Sequence, residues 1–367
     1  MNFDSITVRK VRLPLREPFE ISSGTVEDRN VVVLEAKRDD LRFYGEASPQ
    51  FAPFYSHETT GSAFELVKDF IVPEIKKATD IQDYNRRVEK YKGNEMAKSA
   101  GEFLLYHERS LREGKGLADL MDGSKKTAEV GVSIGIKSSV EKLIEEMEQR
   151  DSEGYNRFKI KINKGKDIDF LEKARDRFPD ADISVDANAS YSKDNFDDLK
   201  ALDRFDLEMI EQPLHHRDLH NHSNLADVLE TPICLDESIR SAEEARKAVK
   251  LGSCSIINLK PQRVGGLMES QRINRIAREG GLNLWIGGLV ETGIGASFAL
   301  ASASLSEVNM RNDISPSSRY FEEDVIESGI EMKGGSIDIP GKPGLYSSVD
   351  RAKLEKFTEK KVSIEDE

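Results

Sequence analysis

Cysteine is nearly absent. The 367 residues contain two, Cys234 and Cys254, and two thiols build no disulfide framework. Long apolar runs are missing as well, since stretches such as 253–259 fall far short of the ~20 residues that cross a bilayer. No membrane span is expected. The start, Met1-Asn-Phe-Asp-Ser5, lacks the basic and apolar regions of a secretory signal, so a cytoplasmic protein is expected. Basic clusters are missing too: 54 Lys and Arg stand against 67 Asp and Glu, a net charge of −13, with no stripe of positive charge to track a phosphate backbone. Nucleic acid is not an expected partner. The glycines of 285–295 are not followed by Lys-Ser or Lys-Thr, which removes a P-loop. A turn at a barrel mouth, with amides free for a carboxylate, fits them better.

What the chain has is length and repetition. Its size suits two domains, or a barrel of roughly 200 to 250 residues plus an addition. From about residue 128, short apolar or β-branched runs alternate with charged stretches of helical period, the βα pattern of a parallel sheet. The predicted strands are 128–136, 158–162, 182–186, 209–212, 233–236, 256–260, 282–287 and 308–314. Eight strands suggest a closed barrel. Between them lie amphipathic stretches at 138–150, 168–178, 194–202, 242–251 and 267–279, with Ser241 and Ser192 as predicted helix caps. Residues before about 120 read as a separate α+β unit, with strands at 6–13 and 31–36 and helices from about Glu58. After about 316 the barrel period ends. A strand-like 336–339 and a Pro-Gly-Lys-Pro-Gly turn follow, expected to pack back on the first unit.

Five polar residues stand at the carboxyl ends of successive strands: Lys161, Asp186, Glu211, Asp236 and Lys260. Their separations of 25, 25, 25 and 24 match one strand, one helix and two short loops, so each occupies the same place in its repeat. Strand alternation turns Lys159 and Lys161 inward while Phe158, Ile160 and Ile162 face the outer helices. By the same rule Asp236 shares its face with Cys234, a core filler, and Lys260 shares its face with Asn258 and Ile256. Three carboxylates in one poorly solvated cleft repel one another unless a cation holds them. All-oxygen ligands favour Mg²⁺ over zinc, with Mn²⁺ as a substitute, and leave coordination sites for a substrate carboxylate and water. Such an ion acts as a Lewis acid on developing oxyanion charge. The neighbouring ammonium of Lys159 and a divalent ion both disfavour the charged form of Lys161, which makes Lys161 the better base. A solvated ion-pair network is the plain alternative for any one of these residues.

At these positions the chain resembles the enolase superfamily, in its muconate lactonising enzyme subgroup. The motifs are Lys159-Ile-Lys161, Asp186-Ala-Asn188, Glu211-Gln-Pro213, Asp236-Glu-Ser238 and Lys260-Pro261. The resemblance covers nearly the whole chain. It implies an α+β capping domain over 1–123, a modified (β/α)₇β TIM barrel over 124–315 and a segment 316–367 returning to the cap. Within the subgroup the chain is most similar to the o-succinylbenzoate synthase and N-succinylamino acid racemase family. The runs that carry this are Pro53-Phe-Tyr-Ser56, Val130-Gly-Val-Ser-Ile-Gly135, Pro232-Ile-Cys-Leu-Asp-Glu-Ser238, Arg263-Val-Gly-Gly266, Gly287-Gly-Leu-Val-Glu-Thr-Gly-Ile-Gly295, Asp313-Ile-Ser315 and Arg319-Tyr-Phe-Glu-Glu-Asp324.

The resemblance implies a Mg²⁺-dependent carbon–oxygen lyase of menaquinone synthesis acting on a small carboxylate substrate, in a homo-oligomer. Lys161 would take the proton alpha to the carboxylate and then assist loss of the hydroxyl. Lys260 would stay protonated and stabilise the enolate, or in a racemase would donate on the opposite face. Arg263, three residues after Lys260, marks the racemase-capable branch. Asn188, Glu237, Ser133, Gly288, Glu291, Thr292, Tyr55 and Ser22 are expected near the metal or substrate. Loops 21–29 and 49–55 are expected to close over the mouth. Gln262, Ala296-Ser297 and Tyr106-His107-Glu108 depart from the usual pattern and bear on substrate detail and subunit contacts, not on the metal or lysine positions. A dipeptide epimerase or cycloisomerase would keep the same five residues, although no Asp-x-Asp ends the last barrel strands. Two other classes stand further off: a Schiff-base aldolase using Lys260, and a non-catalytic metal-binding barrel. The histidines of His215-His-Arg-Asp-Leu-His-Asn-His222 read as a solvated loop and helix start.

Overall fold

The computed structural model describes residues 2–21, 24–162, 164–165 and 167–365. The chain opens with three antiparallel strands, β1 (Ser5–Ile21), β2 (Gly24–Arg38) and β3 (Leu41–Ala47). The apolar residues Ile6, Val8, Val11 and Leu13 of β1 are buried. β2 buries Val31 to Leu34 continuously because both its faces are covered. The helix Glu95–Glu113 lies between this sheet and the barrel and is buried on nearly every side. Gly45 permits that approach: a Cβ there would stand 2.0 Å from the Ala100 carbonyl oxygen. On the barrel side, Phe103 stacks on Phe298 with ring centroids 4.2 Å apart.

The barrel sheet is parallel, in the order β11-β10-β9-β8-β7-β6-β5, formed by β5 (Val132–Ile134), β6 (Arg157–Lys161), β7 (Asp182–Asp186), β8 (Ile210–Glu211), β9 (Ile233–Leu235), β10 (Ile256–Leu259) and β11 (Asn283–Ile286). Two sequence expectations change here. The run 128–136 is broken into β4 (Thr127–Glu129) and β5, and 308–314 is no regular strand. Instead it closes the ring by single bonds: Asn309 N–H and Asp313 N–H donate to Leu284 and Ile286 carbonyls, and Gly131 N–H donates to Asn312. Side-chain needs at Asn312 and Asp313 interrupt the ladder there, since Asn312 also serves Ile286 N–H and the Glu129 carbonyl.

The predicted helices are present, as Val140–Ser152, Asp167–Arg177, Phe196–Lys200, Ala242–Leu251 and Leu267–Gly280. Ser192 and Ser241 cap theirs, accepting from Asp194 N–H and Glu244 N–H. The helix Gly293–Ala303 is new. All eleven of its residues are buried, so it has no polar face for periodicity to reveal. The tail divides its loyalty: β12 (Ser336–Asp338) pairs with β4, whereas β13 (Thr358–Glu365) joins the first sheet beside β1. No helix among the described residues is long and apolar enough to cross a membrane.

Candidate active site

Sheet register decides which side chains meet. Lys161 is level with Asp186, and Asp186 with Glu211. Glu211 is level with Cys234 and Cys234 with Ile256, so Asp236 stands one inward step higher and Lys260 higher again. This stagger is the shear of a closing barrel. Below the polar layer, Met209, Cys234, Ile256 and Trp285 form a separate apolar floor, which places the cysteine in the core as its alternation predicted. Above it opens a cavity of ≈ 200 Å³ lined by Lys159, Lys161, Asp186, Asp236, Glu237 and Lys260 on the strand ends.

The two lysines of β6 have different surroundings. Lys159 Nζ lies 2.8 Å from Glu211 Oε2, 3.0 Å from Asp313 Oδ2 and 3.7 Å from Asp186 Oδ2, and 4.8 Å from the Trp285 ring centroid. Burial opposes its charge, but Asp313, Glu211 and Asp186 together raise its pKa well above the usual lysine value. Lys159 is therefore a fixed cation. Lys161 Nζ donates to the neutral Asn188 Oδ1 at 2.7 Å, and its nearest carboxylate oxygen is Asp186 Oδ2 at 3.9 Å. Asn188 is aimed by a left-handed backbone (φ 40) and by its own N–H to Asp186 Oδ1 at 3.0 Å.

Across the cavity, directly after β10, Lys260 Nζ donates to Asp236 Oδ2 at 3.0 Å and to Tyr55 Oη at 3.3 Å, and sits 4.6 Å from the Tyr55 ring centroid. Burial works against its charge, yet Asp236 and Tyr55 raise its pKa. Arg263 donates to Asp236, to Tyr55 Oη at 3.1 Å and to the Ile239 carbonyl at 2.7 Å. It reaches Lys260 only through these shared partners. Burial pushes the Asp236 carboxyl up, but Lys260, Arg263 and Lys159 outweigh it and hold the group below its usual value.

Three further predicted residues contribute, Ser133 from β5 and Gly288 and Glu291 from the loop after β11. Ser133 Oγ donates to Asp313 Oδ2 at 2.6 Å, Glu291 accepts from Leu289 N–H at 2.8 Å, and Gly288 lies so close to the Asp313 carbonyl that a Cβ would stand 2.8 Å from it. Thr292 does not join them. Its hydroxyl bonds Glu46 and caps the helix Gly293–Ala303, away from the cavity. Ser22 lies outside the described residues, and 24–29, expected as loop, is the start of strand β2. Of the histidines, His222 is buried and accepts from Leu214 N–H at 3.3 Å, which makes it a structural residue of the helix Leu219–Ala226.

Sequence reasoning missed Asp313, Gln212 and the apolar wall. Asp313 joins Lys159, Arg157 and Ser133, and those two cations hold its carboxyl far below its usual value against the effect of burial. Its place at the carboxyl end of the eighth run was the available signal. Gln212 Oε1 accepts from Asp236 N–H and Ser238 N–H and so braces the loop behind Asp236. Ile314, Tyr320, Phe321 and Ile330, from the closing segment and tail, line the cavity opposite the charges.

The donor set suits a hard divalent cation. Asp186, Glu211 and Asp236 offer only oxygen, and the buried Glu211 Oε2 and Glu237 Oε2 have no hydrogen-bond donor; Lys159 is near the first but off hydrogen-bond geometry. Burial, with Asp186 and Asp236 adding, pushes Glu211 up to about 7 and Glu237 up to about 8, the mark of carboxylates short of positive charge. The spacing is that of an ion-pair network. Among the described residues no three His, Cys, Asp or Glu side chains are gathered as a metal cage, because Lys159, Lys260 and Arg263 stand against these carboxylates.

Comparison with known proteins gives the family. The family described as "Enolase C-terminal domain-like" matches residues 142–353. An o-succinylbenzoate synthase of Geobacillus stearothermophilus is 40% identical over 363 residues, 98% of this chain and 96% of that protein. An N-succinylamino acid racemase of Thermus thermophilus is 37% identical over 347 residues, 94% of each. The crystal structure of an enolase superfamily member from Listeria innocua, 34% identical, superposes with a TM-score of 0.95 over 100% of this chain and 99% of that one. This chain therefore belongs to the enolase superfamily, in the family of o-succinylbenzoate synthases and N-succinylamino acid racemases.

Proposed function

We propose that the protein is an o-succinylbenzoate synthase that dehydrates 2-succinyl-6-hydroxy-2,4-cyclohexadiene-1-carboxylate, as a step of menaquinone synthesis. The observation that carries this reading is the contrast between two lysines facing one cavity, Lys161 on a neutral amide and Lys260 on a carboxylate and a tyrosine. Lys161 removes the proton alpha to the substrate carboxylate. Its ammonium then returns a proton to the departing hydroxyl, so water leaves, the ring becomes aromatic and Lys161 is neutral again. Lys260 stays charged and stabilises the enolate from the other face, with Lys159 a fixed cation beneath. Asp186, Glu211 and Asp236 would hold Mg²⁺, which supplies Lewis-acid stabilisation of the oxyanion.

Racemisation of N-succinylamino acids is the second reading, favoured by Arg263. This guanidinium competes with Lys260 for Asp236 and lowers the affinity of Lys260 for its proton, which helps Lys260 exchange protons. An aldolase is disfavoured by the match, over nearly the whole chain, to a synthase and a racemase that share these two lysines' chemistry of proton transfer. The test is parallel kinetics on the cyclohexadiene and on N-succinylamino acids, with α-proton exchange followed in D₂O. Turnover of the first with slower racemisation of the second is expected. Neither turnover nor exchange on any of them would sink the reading.

A further inference from the structure

Two loops face each other across the cavity. One follows β3 and brings Gln50, Phe54 and Tyr55; the other follows β11 and brings Gly288 to Glu291. No sheet ladder joins them, so something else must set their separation. Arg29, on β2, lies at their roots and is 2% exposed. Its Nε donates to the Val290 carbonyl at 3.0 Å, and its Nη1 donates to Pro49 at 2.8 Å and to Asn30 at 3.0 Å. Its Nη2 donates to the Ser48 carbonyl. Among the described residues its hydrogen-bond partners are all backbone carbonyls. Glu46 and Glu291 offset its charge from further away.

Val290 makes the arrangement informative. It is β-branched and sits at φ 58, a left-handed conformation that such a residue keeps only where its surroundings hold it. The bond from Arg29 to its carbonyl is such a hold. At the other end, Ser48 N–H donates to Gln262 Oε1 at 2.6 Å and Gln262 Nε2 donates to Ser48 Oγ at 3.1 Å, which ties the same root to the loop after Lys260. We propose that Arg29 is a positioning residue that fixes the width of the active-site mouth by holding the Tyr55 loop and the Val290 loop on one rigid guanidinium. The planar fork suits this task, because an ammonium has no set of fixed coplanar donors. Sequence alternation gave no hint of it.

The kinetic arm of the test rests on the proposed reaction; the exchange arm does not. Full-length Arg29→Lys, Val290→Gly and the double variant are compared with wild type by hydrogen exchange and steady-state kinetics. In Arg29→Lys, amide exchange over 49–57 and 287–292 is expected to rise together by about tenfold, with β6 to β10 unchanged. KM should rise about tenfold with kcat held within about threefold, and the two KM effects should be non-additive in the double variant. A rise in one loop alone, in neither, or across the whole barrel overturns the proposal, as does an unchanged KM in an active variant. Should Arg29→Lys fail to fold, Val290→Gly decides: faster exchange in 49–57, a segment that shares no hydrogen bond with Val290 among the described residues, supports the coupling, and unchanged exchange there overturns it. A wild type without turnover removes the proposed reaction and leaves the exchange result to judge Arg29.

Discussion

Two pairs of buried carboxylates in this molecule are held in opposite ways. At the barrel mouth Asp236 and Asp313 face full cations, Lys260 and Arg263 for the first, Lys159 and Arg157 for the second. At the seam between cap and barrel, Glu46 and Glu102 face the amino ends of barrel helices: Glu46 accepts from Thr292 and Gly295 N–H, Glu102 from Leu267 and Met268 N–H. Burial raises all four, and the paired cations at Asp236 and Asp313 overcome it, as the single ammonium of Lys159 beside Glu211 does not. Asp236 and Asp313 stay ionised, whereas burial pushes Glu46 and Glu102 up to about 7. The lesson is a division of labour, with charge at the mouth available to the proposed chemistry and the carboxylates at the seam tying the cap to the barrel helices.

Substitution should separate the two regions. The largest effect is expected at Lys161→Ala, where kcat falls by about 10³-fold or more while thermal unfolding stays within about 3 °C of wild type, because no carboxylate loses a close partner. A large drop in Tm would instead join Lys161 to the structural network. Lys260→Ala should cost both quantities: activity falls about 10²-fold and stability falls as well, since Asp236 loses one of its two cations. Unchanged stability there would break the comparison.

At the seam, Glu102 binds its proton more tightly folded than unfolded. Its contribution is therefore complete below about pH 4.5 and is lost as pH rises through about 7, by roughly 3 kcal/mol at most. Glu102→Gln should flatten unfolding free energy between pH 5 and 8 and leave kcat alone; urea titrations at several pH values measure this. A slope that persists assigns it to other groups. The smallest effect is expected at Tyr55→Phe, which removes one hydroxyl shared by Asp236, Lys260 and Arg263 and should lower kcat/KM by about tenfold or less.

Much of this was legible in the chain. Lys161, Asp186, Glu211, Asp236 and Lys260 repeat at a nearly constant interval because each βα unit of a barrel consumes a nearly constant length, and alternation alone placed Lys159 beside Lys161. Helices with one polar face, such as Ala242–Leu251, were legible for the same reason of period. Gly293–Ala303 was not, being buried all round, and neither was the role of Thr292, whose partner Glu46 lies 246 residues earlier.

The sequence by itself determined the fold class and the five polar strand ends, since both depend on local period and chain length. Only tertiary structure decided their electrostatic roles. Lys161 meets an amide while Lys159 and Lys260 meet carboxylates because sheet register and stagger set those distances, and charge depends on distance in three dimensions. The same holds for Arg29: its function lies in four carbonyls on separated segments, and no spacing along the chain records where a backbone oxygen will point.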